Sequence, residues 1–274
     1  MIRRLSSALL LSMGMLVGCG GSSSDSQAPA GPPPYPPQGS TWQWQLLGAL
    51  NSEYDVFAYD IDLFNTAAET IASLQQQGRF VICYFSAGSY ESYREDAGEF
   101  LDSELGNTLA NFANERWLDT RSSNVRAIMR ARMDLAAAKG CDAVEPDNVD
   151  GHINNTGFAL TRENSINYSQ FIAEYARSLG LYVGLKNNVG LAQTLEPYFD
   201  FAVNESCFRF NECARLTPFV DAKKAVFHVE YLSVAEVGSG ELQRVCAQTE
   251  PLGFSTLVLP TALNDAYRFS CSEQ

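Results

Sequence analysis

From residue 41 onward, short apolar runs alternate with stretches whose apolar positions return every three or four residues. The short runs read as strands: Trp42–Leu46, Val56–Asp60, Phe80–Ser86, Arg116–Asp119, Ala143–Asp147, Leu181–Asn187, Phe201–Glu205, Ala225–Tyr231 and Ser255–Pro260. The longer stretches read as helices. Thr66 and Glu69 have capping-box spacing and open a helix that ends before Gly78. A second helix runs from about Ser123 to Lys139 and stops at Gly140. A third begins at Thr161, carries Ile166, Phe171, Ile172, Tyr175 and Leu179 on its apolar face, and stops at Gly180. Strand followed by helix, repeated along the domain, predicts a parallel sheet with crossover helices. About eight strands in this length fit a closed (β/α)8 TIM barrel, an α/β fold in a single domain. The competing fold, a doubly wound sheet, lacks support because no Gly-rich phosphate loop follows the first strand.

Side chains alternate faces along a strand, so each run can be split into two sets. Ala143, Glu145 and Asp147 share one face, and Phe201, Val203 and Glu205 share another. Tyr182, Gly184 and Lys186 oppose Leu181, Val183 and Leu185. Pro146 has no N–H for a ladder, so regular pairing ends near it. Trp42 and Trp44 could pack as core or face a groove, where tryptophan rings stack on sugars.

Polar residues collect at the same end of strand after strand. Asp60 and Asp62 close one strand, and Tyr84 and Ser86 the next. Glu145, Asp147 and Asn148 close a third, with Asp150 just beyond. Lys186 with Asn187, Asn204 with Glu205, and Glu230 with Tyr231 close three more. One acidic strand end would be a solvated loop or a cation site. Six at the C-terminal ends of barrel strands outline an active face. The residue types narrow the chemistry. No Gly-x-Ser-x-Gly elbow is present, and His152 and His228 are the only histidines. Without a Cys-x-x-Cys pair, zinc is not expected, nor is any other cofactor. Several carboxylates without such groups suit glycoside hydrolysis. There one acid protonates the leaving oxygen, while the other attacks the sugar or activates water.

The formal net charge of −13 excludes nucleic acid as a natural partner, because phosphates need a basic footprint. It suits a cationic ligand, and equally an acidic exported protein kept soluble by its charge. Residues 1–18 read as a lipoprotein signal: Arg3 and Arg4 precede an apolar core, Ala8 to Val17, and Leu16-Val17-Gly18-Cys19 matches the box at which bacterial lipoproteins are cleaved and acylated on Cys19. Residues 19–40, rich in Gly, Ser and Pro, read as a tether, leaving 41–274 as the barrel. The expected location is the bacterial cell envelope, lipid-anchored at the outer membrane or cell surface, and the expected state is a monomer. Export permits disulfides. The spacing pairs Cys207 with Cys213 and Cys246 with Cys271, and leaves Cys83 and Cys141 as buried thiols in strand sequence.

The order of Trp-Gln-Trp-Gln-Leu, Tyr-Asp-Ile-Asp-Leu-Phe, Val-Ile-Cys-Tyr-Phe-Ser-Ala-Gly-Ser-Tyr, Val-Glu-Pro-Asp-Asn-Val-Asp-Gly, Gly-Leu-Lys-Asn and Asn-Glu-Ser-Cys resembles glycoside hydrolase family 114 from Thr41 to about Tyr231. Characterised members of that family are TIM-barrel endo-α-1,4-polygalactosaminidases. The resemblance implies a glycosidase acting on cationic or N-acetylated galactosamine polysaccharide, as in an exopolysaccharide. It implies Asp147 as nucleophile and Glu205 as acid/base. It places Asp60, Asp62, Tyr84, Lys186 and Glu230 in the cleft lining; Ser86, Glu145, Asn148, Asp150, Asn187 and Tyr231 join them from the strand-end pattern. A retaining pair further requires Glu205 to hold a proton, its pKa raised by neighbouring acids, with Lys186 nearer Asp147. The remaining acids, Asp60, Asp62 and Glu230, would then meet the amino sugar. The alternative is a non-catalytic carbohydrate-binding envelope lipoprotein, which a damaged Asp147/Glu205 pair would have favoured.

Overall fold

In a computed structural model describing residues 35–272, the chain runs β1 (Trp42–Gln45), β2 (Ala58–Asp62), α1 (Ala68–Gln76), β3 (Phe80–Ser86), β4 (Ser89–Glu91), β5 (Leu105–Leu109), β6 (Phe112–Leu118), α2 (Ser123–Lys139), β7 (Ala143–Asp147), α3 (Arg162–Ser178), β8 (Tyr182–Lys186), α4 (Ala192–Leu195), β9 (Phe201–Glu205), α5 (Thr217–Asp221), β10 (Val226–Glu230), α6 (Val234–Gly238), α7 (Glu241–Thr249), β11 (Ser255–Val258) and β12 (Phe269–Ser270). Eight of the strands form one parallel sheet in the order β1-β2-β3-β7-β8-β9-β10-β11, and β12 joins the last of them antiparallel. The fold is the predicted α/β barrel. Its seam is unusual in one respect: among the described residues no ladder joins β1 to β11. Instead Trp42 Nε1 donates to the Ser255 carbonyl at 2.9 Å, and the Leu46 and Leu47 amides donate to Leu263 O at 3.0 and 3.1 Å. One indole and one loop replace a row of strand hydrogen bonds.

The two faces of the sheet bury different sets, as alternation requires. Trp42, Trp44, Ala58, Phe80, Ile82, Ala143, Phe201, Val203, Phe227, Val229 and Leu257 fill the barrel interior. Tyr59, Ile61, Val81, Cys83, Phe85, Val144, Val183, Leu185 and Ala202 point outward to the helices. Both tryptophans are therefore core, 1% and 2% exposed. Gly184 is inward and has to be glycine-sized, since a Cβ there would lie 2.4 Å from the Phe201 ring. Ser122 caps α2 by accepting from the Asn124 and Val125 amides, and Gly140 ends it in the left-handed region at φ 84°.

Four expectations need correction. Arg116–Asp119 is no barrel strand: Arg116 to Leu118 belong to β6, the middle strand of a small antiparallel sheet, β4-β6-β5, inserted between β3 and α2. Thr66 does not cap α1; the chain enters that helix through Ala67, whose side chain can accept nothing. Cys83 and Cys141 are a disulfide, not free thiols, with Cα atoms 6.1 Å apart. They are 58 residues apart in sequence, but the insertion and α2 loop out between neighbouring strands β3 and β7, and so return Cys141 beside Cys83. Finally, the end of the expected tether is docked. Pro36 O accepts from Ala225 N at 3.1 Å, and Gln38 N donates to Lys223 O at 3.2 Å. Cys207–Cys213 and Cys246–Cys271 are bridged as expected. The signal, Cys19 and most of the tether lie outside the described residues.

Candidate active site

Lys186 organises the mouth of the barrel. It is the last residue of β8, on the inward face with Gly184, and only 1% exposed. Its Nζ lies 3.0 Å from Glu145 Oε1, 3.0 Å from Asp147 Oδ2 and 3.4 Å from Glu205 Oε2. An ammonium has three protons, and here it meets three carboxylates. It also sits over the Trp44 ring, 4.6 Å from the centroid, and 5.8 Å from that of Tyr84. Burial alone would drive its proton off, but the charges of Asp147, Glu145 and Glu205 hold its pKa well above the ordinary lysine value.

Asp147 and Glu205 end β7 and β9, which flank β8. Shared contact with one nitrogen puts their nearest oxygens within 3.0 + 3.4 = 6.4 Å of each other. Sharp turns follow each of the three strand ends. Asn148, Asn187 and Ser206, the residues immediately after β7, β8 and β9, adopt left-handed φ values of 62°, 48° and 62°. Such backbone is disfavoured for non-glycine residues and collects at functional sites. The turns are held from both sides. Asn148 N donates to Asp147 Oδ1 at 2.6 Å, and Asp147 O accepts from the amides of Ala87 and Gly88 at 2.9 and 3.0 Å. Gly88 can approach this closely only without a side chain, because a Cβ would lie 1.7 Å from Asn148 O.

Glu205 is held by donors. Tyr231 OH donates to Oε1 in a short hydrogen bond, Asn187 Nδ2 donates to Oε2 at 2.9 Å, and Asn187 Oδ1 takes the Glu205 amide at 2.8 Å. Burial pushes the Glu205 carboxyl up, but Lys186 and the Tyr231 and Asn187 donors outweigh it and hold the group below the usual carboxylate range. This reverses the expected direction. Lys186 favours the ionised form of Glu205, where the neighbouring acids were expected to favour the protonated one. Lys186 does lie nearer Asp147, as expected.

The floor behaves differently. Asp60 and Glu145 are both 0% exposed. No donor reaches either oxygen of Asp60. Burial, then the charge and hydrogen bond of Glu145, raise the Asp60 carboxyl well above its usual range. With no donor between the two facing carboxyls, the protonated form of Asp60 is favoured beneath Glu145. Burial also raises Glu145, against the pull of Lys186. Burial and the nearby Asp147 charge push Asp150 up to about 6.

The three acids expected to meet the amino sugar are each engaged within the protein, although Asp62 lines the cleft and Glu230 a neighbouring cavity beside Tyr231. Asp60 is under the floor. Asp62 is locked by Arg94, whose two guanidinium nitrogens donate to its oxygens at 3.0 and 2.7 Å. Glu230 shares the outward face of β10 with His228, which it contacts at 2.9 Å, and it accepts from Phe208 N at 2.8 Å. It braces the disulfide loop that follows Glu205. Ser86 is buried as well, bonding Ser89 Oγ at 2.6 Å and accepting from Asn148 Nδ2 at 2.9 Å. Asp62, Tyr84, Asp147, Asn148, Asp150, Lys186, Asn187, Glu205 and Tyr231 do line the open cleft. So do residues the sequence reading passed over, notably Tyr93, Phe112 and Glu115 of the inserted sheet and its turns. Their only signal was a loosely acidic region without clear alternation.

The cleft is continuous. A cavity of about 520 Å³ lies between Trp44, Phe112, Asp147, Glu205 and Tyr231. One of about 600 Å³ shares Tyr84, Phe112, Glu115, Asp147 and Glu205 with it. A third, of about 420 Å³, shares Glu205, Asp150 and Asn187 with the second. All three meet at Glu205.

The sequence model of glycoside-hydrolase family GH114 matches residues 22–274. The chain belongs to that family. It is therefore a glycosidase. Among solved structures it is similar to Ega3 of Aspergillus fumigatus, crystallised in complex with galactosamine: 41% identity, TM-score 0.81, over 86% of this chain and 96% of that one. The glycoside hydrolase domain of PelA from Pseudomonas aeruginosa shares the fold at 15% identity, with TM-score 0.66 over 84% and 98% of the two chains. No protein of curated function matches the chain. The three disulfides suit an exported GH114 enzyme.

Proposed function

We propose that this GH114 enzyme cleaves α-1,4-linked galactosamine polymer internally and with retention, Asp147 attacking the anomeric carbon and Glu205 serving as acid, then base. The observation that carries the reading is the single ammonium of Lys186 touching both carboxylates. Retaining pairs stand about 5–5.5 Å apart and inverting pairs about 6.5–9.5 Å. The bound of 3.0 + 3.4 = 6.4 Å between the nearest oxygens favours the first. The cavities that meet at Glu205 favour internal attack, since they give a chain room on both sides of the pair. Galactosamine as the sugar is suggested by the 41% identical relative that binds it.

Partly deacetylated α-1,4-galactosamine polymer tests this. Early digestion products read by mass spectrometry are expected to be oligomers of mixed length, and NMR of fresh products should show the α-anomer first. Release of monosaccharide alone removes the internal mode, and a β-anomer removes retention. Anchoring belongs to the same proposal, on the strength of the Leu16-Val17-Gly18-Cys19 box. Cys19→Ser should move the protein from the membrane fraction to the soluble one; unchanged fractionation would argue against acylation.

A further inference from the structure

We infer that Glu115, in the inserted sheet, selects the free amine of the sugar by binding its ammonium. The inference rests on the galactosamine reading above and identifies which residue would enforce it.

Glu115 lies in the middle of β6, opposite Glu91 of β4. It is 8% exposed, yet it lines both cavities that flank Asp147. Its two oxygens are treated unequally. Oε2 takes the hydroxyl of Ser89 at 2.8 Å. That hydroxyl is free to donate, because Ser86 Oγ, 2.6 Å away and itself taking Asn148 Nδ2, can donate to it in turn. Oε1 has only Tyr93 OH, at 3.4 Å. Tyr93 has a single hydroxyl proton, and Glu91 Oε1 takes it at 2.8 Å. Glu115 Oε1 therefore has only a long, shared hydrogen bond, in a carboxylate nine-tenths buried on the cleft wall. A buried carboxylate oxygen held this loosely gains from a further donor.

No cation among the described residues neutralises this carboxylate. Among the described residues, no lysine, arginine or histidine forms an ion pair with Glu115. Arg94, which lines the same cavity, is committed to Asp62 and Glu91 at 2.7 and 2.8 Å. Burial pushes the Glu115 carboxyl up, and the charges of Glu91 and Asp147 add to that. A ligand cation answers these conditions together: it gives Oε1 a closer donor, balances the local negative charge and favours the ionised carboxylate. The chemistry required is a compact ammonium beside the reacting sugar. A 2-amino-2-deoxy sugar, protonated at neutral pH and below, presents one; its N-acetyl form presents a neutral amide and a methyl group in its place. A polar group built to meet one substrate and left unpaired by another discriminates strongly between them.

The test compares Glu115→Gln with wild type on fully deacetylated α-1,4-galactosamine oligomers and on the same oligomers after chemical N-acetylation. The ratio of kcat/KM, amine over N-acetyl, should fall at least tenfold, mainly through KM for the amine, with Glu115→Asp intermediate. Circular-dichroism melting reports whether the variants fold. An unchanged ratio in folded variants overturns the assignment. Calorimetric binding of monomeric galactosamine against N-acetylgalactosamine keeps the question apart from catalysis. If wild type cuts neither oligomer, the proposed activity fails. A Glu115-dependent preference for the free amine in that binding would still support the site, and equal affinities would overturn it.

Discussion

Glu205→Gln should lower kcat on galactosamine polymer about 10³-fold, and Asp147→Asn at least as far, with little change in polymer affinity for either. General acid–base assistance contributes about 10²–10⁴-fold, which sets the scale. The roles separate with the leaving group. An activated aryl glycoside leaves without protonation, so Glu205→Gln should retain the first step on it and stall at hydrolysis, giving a burst. Asp147→Asn should give no burst, because no glycosyl-enzyme can form. Glu205 also dictates the pH dependence. Lys186, Tyr231 and Asn187 hold its carboxyl below the usual range in the free enzyme, and kcat/KM reports free-enzyme groups. The protonated, acid-competent form is favoured as pH falls, so kcat/KM should begin to decline below the usual carboxylate range and keep falling as pH rises through it. Tyr231→Phe removes a donor to the ionised form, so the decline should move to higher pH. A wild-type profile flat from pH 4 to 8, or an Asp147→Asn variant that still shows a burst, would exclude these roles.

Strand parity and strand-end chemistry were legible before any coordinates. Lys186 and Glu205 sit inward because Tyr182 and Gly184, and Phe201 and Val203, point into the barrel ahead of them; Asp147 shares its inward face with Ala143 and the buried Glu145. What alternation could not show is which polar side chains reach one another. Asp62 has the parity of a cleft residue, yet Arg94, 32 positions later, takes it. Glu230 has the composition of a site residue but the wrong parity, sharing its face with His228 rather than with Tyr231. The inserted sheet was hidden for a different reason. β4 is only three residues long, and β5 and β6 pair with register shifts between Leu105 and Leu109, so they carry no clean period of two. The Cys83–Cys141 bridge was missed because strand neighbours in a parallel sheet are separated by whatever length the crossover needs. The sign of the Glu205 shift depends on a donor count that alternation does not reveal: burial raises the carboxyl, and the placement of Lys186, Tyr231 and Asn187 reverses that.

Lys186→Met should be the most destabilising single change in the site, costing about 3–5 kcal/mol at neutral pH. Removing one partner of a buried ion pair leaves charge uncompensated, and values of that size follow. Here the partners are Glu145, which has no exposure, and the less buried Asp147 and Glu205. Methionine keeps the stem's packing, so the loss measures charge rather than a cavity. The pH dependence gives the cause a signature. In wild type, Glu205 has a depressed folded pKa, so its contribution is present above the unfolded carboxyl value and lost as pH falls through the folded one. Lys186 has a raised folded pKa, so its contribution persists until pH climbs above the ordinary lysine range. Without Lys186, desolvation dominates Glu145 as it already dominates Asp60. Carboxyls raised in the folded state but ordinary in the unfolded chain lose stability as pH rises above about 4.3. The deficit of Lys186→Met relative to wild type should therefore be small at pH 4 and widen toward pH 7. Denaturant unfolding at both pH values, with the disulfides intact, measures it. A deficit independent of pH would assign Lys186 a packing role and leave the three carboxylates to be balanced by something else.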